Sequence, residues 1–235
     1  MTDASSYTSV EVLGVRLWCC IFCCCLLCCS GTGCARATNV LPDQKVVLID
    51  PGHGGFDGGA VATDGTVEKH INLAIAHCLH DLLYVCGVPV RMTRSTDVGL
   101  EDSNATSVRE KKVTDMRRRL EMYNESAMVI SIHQNHFSIP KYAGTQLFYA
   151  TNHPDGVVLA TAIRDAVMRW IQPQNSRELK PTTDGIYLLY HAKVPTVLVE
   201  CGFLSNPEER EKLKTPAYQQ QIAFAVMAGY WNYQM

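Results

Sequence analysis

The chain has 235 residues, of which 47% are hydrophobic and 19% are charged. This composition favours one folded domain with a sizeable hydrophobic core over a disordered or fibrous chain. The formal net charge of −2 and the lack of a basic stripe exclude the electrostatic footprint of a nucleic-acid-binding protein, so we expect no nucleic-acid partner.

The N-terminal part of the chain carries an unusual concentration of cysteine. Eight of the 11 cysteines lie within residues 19–34, and most of them fall inside an apolar run over residues 12–29. Cysteine behaves in such a run as a small hydrophobic residue. The run and the small residues after it predict that residues 1–38 are a signal peptide or an N-terminal membrane anchor, with a buried core helix as the alternative. The folded catalytic domain would then be residues 45–235.

Apolar runs typical of buried strands alternate with segments of helical periodicity along this domain. Residues 95–112 are polar and indicate a surface loop, and residues 185–189 indicate a short extended segment. The remaining predicted elements are, in chain order, strand 45–50, helix 68–86, strand 89–94, helix 113–123, strands 128–132 and 144–150, helix 155–171, strand 196–199 and helices 207–214 and 216–233. This order predicts a single α/β domain whose largely parallel central sheet is flanked by helices.

Four side chains suited to metal and proton chemistry lie near the ends of these predicted strands. His53 follows the first strand, Glu68 begins the helix that returns from it, and His133 and Glu200 directly follow two further strands. Ligands of open α/β sheets collect at the carboxyl ends of strands, so we expect the four side chains to converge there. Two imidazoles and a carboxylate form an open catalytic zinc site, and a second carboxylate can move protons.

Each of these residues also has an ordinary structural interpretation. A single histidine at a strand end is more often structural than a ligand. Glu68 can equally serve as an acid that interacts with the dipole of its helix. Glu200 is harder to explain this way, because a carboxylate after an apolar strand is costly to bury without a partner. Because all four residues fit a metal site together, that interpretation is favoured over four separate structural roles.

The sequence around these residues resembles the type-3 zinc-dependent N-acetylmuramoyl-L-alanine amidases, which cut bacterial cell-wall peptidoglycan. The resemblance runs over residues 46–230. It rests on the segments Ile49-Asp50-Pro51-Gly52-His53-Gly54-Gly55, Glu68-Lys69, Ser131-Ile132-His133-Gln134-Asn135 and Val199-Glu200-Cys201-Gly202-Phe203-Leu204-Ser205-Asn206. It implies that His53, Glu68 and His133 bind one Zn²⁺ ion, that Glu200 is the catalytic carboxylate, and that residues 45–235 are the amidase catalytic domain.

Three further segments resemble the sporulation amidases of the CwlD type. They are Lys112-Val113-Thr114-Asp115-Met116-Arg117, Tyr187-Leu188-Leu189-Tyr190-His191-Ala192 and Pro207-Glu208-Glu209. This resemblance implies spore-cortex maturation, in which stem peptides are removed on the way to muramic-δ-lactam. Together with the predicted signal peptide or anchor, it implies an exported or membrane-anchored, extracytoplasmic enzyme, in the cell wall or the forespore intermembrane space. Its partners would be peptidoglycan, an activating lipoprotein and a deacetylase of the same pathway.

Four other residues are candidates for substrate contacts or for supporting the metal ligands. Asp50 can accept a hydrogen bond from a ligand histidine or begin a turn before Pro51. Asn135 can orient a ligand or the substrate, or cap the turn after its strand. Arg119 belongs to a basic helical cluster that is solvated by default, but it matches a recurrent family arginine and can tie its helix to a carboxylate. His191 is a candidate substrate contact.

Two other functions use the same features. A zinc peptidase or carboxypeptidase acting on other peptides would share the metal chemistry and differ only in its groove. A non-catalytic wall-binding protein would share the fold but would be expected to lack a ligand or Glu200. The presence of all four residues favours a catalyst.

Overall fold

Strands and helices alternate along residues 46–235, the part of the chain that the computed structural model describes. The strands are β1 (Val47–Pro51), β2 (Val90–Met92), β3 (Met128–Asn135), β4 (Gln146–Tyr149), β5 (Lys180–Pro181) and β6 (Thr196–Phe203). The helices are α1 (Glu68–Val85), α2 (Val108–Asn124), α3 (Asp155–Trp170), α4 (Tyr187–His191), α5 (Pro207–Leu213) and α6 (Pro216–Gln234).

The six strands form one sheet in the order β2-β1-β3-β6-β4-β5. Strands β2, β1, β3 and β6 are parallel, whereas β4 is antiparallel to β6 and β5 is parallel to β4. The predicted fold class, one α/β domain with a largely parallel sheet, is therefore confirmed. The topology places the carboxyl ends of β1, β3 and β6 side by side, and the beginning of the reversed β4 lies at that same edge.

Two apolar clusters pack against opposite faces of the sheet. The larger cluster joins one face to α1, α3 and α6, and it includes Ile49, Ile75, Ile132, Leu159, Val199 and Val226. The smaller cluster lies under α2 and α4 on the other face, and it includes Leu48, Tyr123, Val129 and Leu188. Neighbours in a strand point to opposite faces, so a strand covered on both sides needs apolar residues at every position. This explains the continuous apolar runs at β1, β3 and β6.

Helix α2 begins earlier than the sequence pattern predicted. The Ser107 hydroxyl accepts a hydrogen bond from the Glu110 amide, and the Glu110 carboxylate accepts one from the Ser107 amide. This capping box satisfies two amides that a helix start leaves unpaired, and it stabilises a start at Val108. The prediction of a surface loop over 95–112 was therefore wrong for its last five residues, 108–112.

The other differences concern short elements. Residues 187–191 are helical, so the predicted extended segment over 185–189 was wrong. Strand β5 has only two residues and was not predicted. Strands β3 and β6 are longer than predicted, so that His133 and Glu200 lie within them. Elements of two to five residues carry too few positions to show a periodic pattern, and their structure depends on contacts with distant parts of the chain.

The described helices include none with the length and apolar character needed to cross a lipid bilayer. The predicted signal peptide or anchor over 1–38 lies outside the described residues.

A buried ion pair ties α2 to β1. The Arg119 guanidinium donates to the Asp50 carboxylate, and both residues are almost fully shielded from solvent. Asp50 also accepts hydrogen bonds from the hydroxyls of Thr93 (2.6 Å) and Tyr123 (2.5 Å). Burial alone would raise the pKa of Asp50, but the charge of Arg119 and these hydrogen bonds outweigh burial and lower the pKa to about 2.

We expect Asp50→Asn to lower the free energy of unfolding by about 3–5 kcal/mol, because it leaves the buried Arg119 charge without its main partner. Chemical denaturation at neutral pH measures the loss. The control is Asp102→Asn, which removes a partly exposed carboxylate paired with Arg117 and should cost at most about 1 kcal/mol. Equal losses in the two variants would contradict the assigned role of the buried pair.

The difference between wild type and Asp50→Asn should also depend on pH. The folded-state pKa of Asp50 lies below its ordinary value of 3.8, so its ionisation stabilises the fold above about pH 4. That contribution is lost as the pH falls through about 2. The difference in the free energy of unfolding between wild type and Asp50→Asn should therefore shrink between about pH 4 and pH 2.

Candidate metal-binding and catalytic site

His53, Glu68 and His133 meet at the carboxyl edge of the sheet. One ligand atom from each lies within 4.8 Å of the other two. Oε2 of Glu68 is 3.2 Å from Nε2 of His53, and Oε1 of Glu68 is 3.0 Å from Nδ1 of His133. Two imidazole nitrogens and a carboxylate are donors that suit a divalent transition metal such as zinc.

The loop after β1 carries His53 to the other two residues. His53 adopts a left-handed backbone conformation with φ of 62°, which is unfavourable for a residue with a side chain. Gly52 precedes it and packs against the His133 imidazole so closely that a Cβ atom would lie 2.1 Å from the ring. Only glycine therefore lets the β1 loop approach His133.

Two buried arginines fix the carbonyl groups of this loop. Nε of Arg94 donates to the Pro51 carbonyl (3.0 Å), and Nη2 of Arg94 donates to the Gly52 carbonyl (2.9 Å). Nη2 of Arg119 donates to the carbonyl of His53 (2.7 Å). A strained backbone persists only where its surroundings over-determine it, and these bonds to three successive carbonyls provide such surroundings.

Asp57 orients the His53 ring. Its carboxylate lies 3.1 Å from Nδ1 of His53, which directs Nε2 towards Glu68, and it is 3.6 Å from the Lys112 ammonium. Burial favours the neutral imidazole, but hydrogen bonds to Asp57 and Glu68 outweigh it and raise the pKa of His53 to about 9. The site therefore stabilises positive charge at the point where a cation would bind.

Glu68 is held as a carboxylate by its neighbours. Its oxygens accept from the backbone amides of Ala60 (2.8 Å) and Gln134 (3.0 Å) and from the side chain of Asn72 (3.2 Å). Burial would raise the pKa of Glu68, but hydrogen bonds and charge from His133 and His53 lower it well below its ordinary value. Glu68 thus presents a negative charge to the space between the two rings.

Glu200 is adjacent to this group but differs from Glu68 in its surroundings. It pairs directly with His133 across β3 and β6. Its Oε2 atom is shielded from solvent and has no hydrogen-bond partner among residues 46–235. Burial, followed by repulsion from Glu68, raises the pKa of Glu200 to about 7 despite the opposing charges of His133 and His53. A carboxyl group with a pKa near neutrality can both accept and donate a proton.

The four additional candidates from the sequence, Asp50, Arg119, Asn135 and His191, lie in different surroundings. The Asp50 carboxylate accepts from Thr93, Ser131, Arg119 and Tyr123 rather than from an imidazole. Arg119 connects Asp50 to the His53 carbonyl. Asn135 ends β3 beyond a bulge, and its carbonyl accepts from the Leu204 amide at 2.8 Å. His191 is an exposed residue at the end of α4, where its ring contacts those of Tyr187 and Tyr190.

Sequence reasoning missed Arg94, Asp57, Asn72 and Gln134. The spacing could have indicated two of them, because Asp57 lies four residues after His53 and Asn72 lies one helical turn after Glu68. Arg94 carried no local signal for this role, because the carbonyls that it binds at the site, those of Pro51, Gly52 and Lys69, lie more than 20 residues away in the chain.

Comparison with known proteins bears on this site. The sequence profile of a family described as N-acetylmuramoyl-L-alanine amidase (Amidase_3) matches residues 47–230. The chain is 35% identical over 191 residues to the germination-specific N-acetylmuramoyl-L-alanine amidase of Bacillus subtilis, covering 80% of this chain and 79% of that relative. It is 27% identical over 232 residues to the amidase AmiA of Escherichia coli, covering 81% and 76%.

Solved structures agree with these relatives. The CwlD amidase of Clostridioides difficile, solved in complex with the GerS lipoprotein, superposes with a TM-score of 0.77 at 39% identity, covering 81% of this chain and 98% of that one. The amidase AmiC2 of Nostoc punctiforme gives a TM-score of 0.64 at 27% identity, covering 81% and 97%.

We expect Arg119→Lys to weaken Zn²⁺ binding by about 10–100-fold, the range typical when groups that support metal ligands are lost. Lysine keeps the charge, but it cannot bond Asp50, Asp115 and the His53 carbonyl together. Competition with a chromogenic chelator measures the affinity. The matched control is Arg118→Lys, at an exposed neighbouring position, which should bind zinc like wild type. Unchanged affinity in folded Arg119→Lys would contradict the role of the arginine.

Proposed function

The chain belongs to the N-acetylmuramoyl-L-alanine amidase family, and from that premise we propose how four of its residues carry out the reaction. The protein is an enzyme that hydrolyses the amide bond between N-acetylmuramic acid and L-alanine in bacterial peptidoglycan. The observation that carries the proposal is the convergence of His53, Glu68 and His133 beside Glu200, whose buried oxygen has no partner among the described residues.

His53, Glu68 and His133 would hold one zinc ion. The donor set, the spacing of the ligand atoms and the negative charge of Glu68 between two imidazoles support this assignment. When bound, zinc lowers the pKa of water and offsets negative charge on a carbonyl oxygen. Asp57 fixes the tautomer of His53, and Arg94 and Arg119 fix the backbone that carries this ring.

Glu200 would move the proton. Its carboxylate accepts a proton from the water that attacks the lactyl carbonyl of muramic acid. It then delivers that proton to the leaving nitrogen of L-alanine. A carboxyl group whose pKa is raised towards neutrality suits both steps, because neither its ionised nor its protonated form is strongly favoured.

The two roles predict different losses on mutation. We expect Glu200→Gln to keep its zinc but to lose at least about 100-fold in turnover, because an amide cannot shuttle the proton. His133→Ala should lose both zinc and activity. The control His77→Ala alters a histidine on α1 that hydrogen-bonds the Ser95 carbonyl, and it should keep both. Elemental analysis measures zinc, and mass spectrometry of peptidoglycan fragments measures cleavage.

The same fragments identify the bond that is cut. Release of stem peptides that begin with L-alanine, leaving a free lactyl carboxylate, is the expected result. Cleavage only between amino acids would indicate a peptidase instead. Turnover near the wild-type level in Glu200→Gln would contradict the catalytic assignment.

We also propose a role in spore-cortex maturation. The similarity to a germination-specific amidase and to a CwlD amidase supports this role. Removal of the stem peptide frees the lactyl carboxylate, which can close a muramic-δ-lactam only onto a free amine at the neighbouring sugar carbon. A deacetylase must supply that amine, so we place such an enzyme in the same pathway. Because peptidoglycan lies outside the cytoplasm, we propose that residues 1–38 direct export or anchoring.

A lipoprotein partner is proposed by analogy with the CwlD complex, which contains the GerS lipoprotein. If such a partner activates this chain, adding it to the purified protein should raise the affinity for Zn²⁺ by about 5–150-fold, the usual range of coupling between binding sites, and should raise activity where zinc is limiting. An unrelated lipoprotein is the control. Full activity of the isolated chain would remove the need for a partner.

A further inference from the structure

Half of one sheet face lies next to Glu200 and belongs to neither apolar cluster. Leu147 and Tyr149 of β4 and Leu179 beside β5 pack into the larger cluster. Side chains alternate along a strand, so Phe148 and Lys180 point to the opposite face. Phe148 is partly buried and Lys180 is exposed, and neither joins the smaller cluster under α2 and α4.

Strand register places Phe148 and Lys180 on the same sheet face as Glu200, the proposed proton carrier. Glu200 of β6 pairs with Gln146 of β4, which places both side chains in one row. Leu198 pairs with Phe148, and Phe148 pairs with Lys180, which forms the next row on the same face. The two rows are two residues apart along the strands, or about 7 Å. An apolar ring and a cation therefore lie one row along the strands from the proposed proton carrier, on the same face of the sheet.

Lys180 is a cation without an acidic partner. Its ammonium lies 5.7 Å from the centroid of the Phe148 ring, and no carboxylate within residues 46–235 lies within ion-pair distance of it. Glu178, two residues earlier on the same edge, is exposed and makes no ion pair with it among the described residues. A cation near a catalytic group, with one side on an aromatic ring and the other open, is free to bind an anionic group of a ligand.

We propose that Phe148 and Lys180 form a subsite for the stem peptide of the substrate. The Phe148 ring contacts the apolar part of the peptide that follows the scissile amide, and the Lys180 ammonium pairs with a stem-peptide carboxylate. The inference rests on the proposed function. Within that substrate the glycan carries neutral hydroxyl and acetamido groups, whereas the stem peptide carries free carboxylates. The cation therefore selects the peptide over the glycan.

The distances fit a carboxylate close to the cleaved bond. Lys180 lies two strands from Glu200 and one row along, so their Cα atoms are about 12 Å apart at the usual sheet spacings. An extended peptide covers this distance in about three to four residues, and the lysine side chain shortens the requirement further. The carboxylate thus belongs to one of the first three residues after the bond.

The test compares two synthetic substrates that differ in one charge. They are N-acetylmuramoyl-L-alanyl-D-isoglutamate and its isoglutamine analogue. In the analogue, the α-carboxylate of the second amino acid is replaced by an amide. Zinc-loaded wild type should prefer the acid in kcat/KM by about 2–5-fold, as expected for an exposed ion pair. Lys180→Gln should abolish the preference, and Lys180→Glu should reverse it. Phe148→Ala should raise KM for both substrates by about 2–10-fold.

Two matched controls separate this subsite from general charge effects. Lys193→Gln removes a cation just before the start of β6, at the opposite edge of the sheet, and should keep the preference for the acid. Glu178→Gln removes the acidic side chain near Lys180 and should keep or increase the preference for the acid substrate. Equal kcat/KM for acid and amide in wild type, or an unchanged preference in Lys180→Gln, would overturn the proposal.

Binding measurements keep this result separate from the proposed function. Calorimetric titration of both peptides into Glu200→Gln and into Glu200→Gln/Lys180→Gln reads the subsite without turnover. If wild type cleaves neither peptide, the proposed function fails for these substrates, and the dissociation constants still decide the subsite. The subsite is supported if Glu200→Gln binds the acid more tightly than the amide and Glu200→Gln/Lys180→Gln does not. Equal binding of both peptides to Glu200→Gln refutes the subsite.

Discussion

The buried ion pair between Asp50 and Arg119 is the interaction on which the rest of the structure depends. Neither charge can be solvated by water, so each must be satisfied by protein groups. Asp50 therefore gathers Thr93 and Tyr123 around β1, while Arg119 extends from α2 to the carbonyl of His53. One pair thus joins a strand, a helix and the loop that carries a metal-ligand candidate. The strained conformation of His53 is maintained because this buried network leaves it no alternative.

Burial has opposite consequences for the two acids of the site. Glu68 is surrounded by amide donors and two imidazoles, which favour its ionised form despite burial. Glu200 pairs with His133 across β3 and β6. Its buried oxygen receives no donor from the described residues, so burial dominates and raises the pKa of Glu200. One acid is thus held in its ionised form and the other has a pKa near neutrality, the kind of separation that suits different roles for two carboxyl groups in one site. The difference between them comes from hydrogen bonding, since both are glutamates in one small volume.

The reversed strand β4 sets the shape of the region around Glu200. Because β4 runs antiparallel to β6, its first residues lie at the catalytic edge, and Gln146 faces Glu200 across the sheet. The smaller apolar cluster under α2 and α4 does not include Phe148 of β4 or its partner Lys180 of β5. The subsite proposed for the stem peptide therefore lies on the same sheet face as Glu200.

The sequence by itself determined the order of the longer elements and identified the four residues of the candidate site. Buried parallel strands appear as apolar runs, helices as amphipathic repeats, and His53, His133 and Glu200 stand at or just past the ends of those runs, so each signal is local. Only the tertiary structure decided the strand order, the reversal of β4, the short elements α4 and β5, and the roles of Arg94 and Asp57 at the His53 loop. The physical reason is that these features arise from hydrogen bonds and packing between residues far apart in the chain. Such contacts leave no periodic trace in the segments that make them.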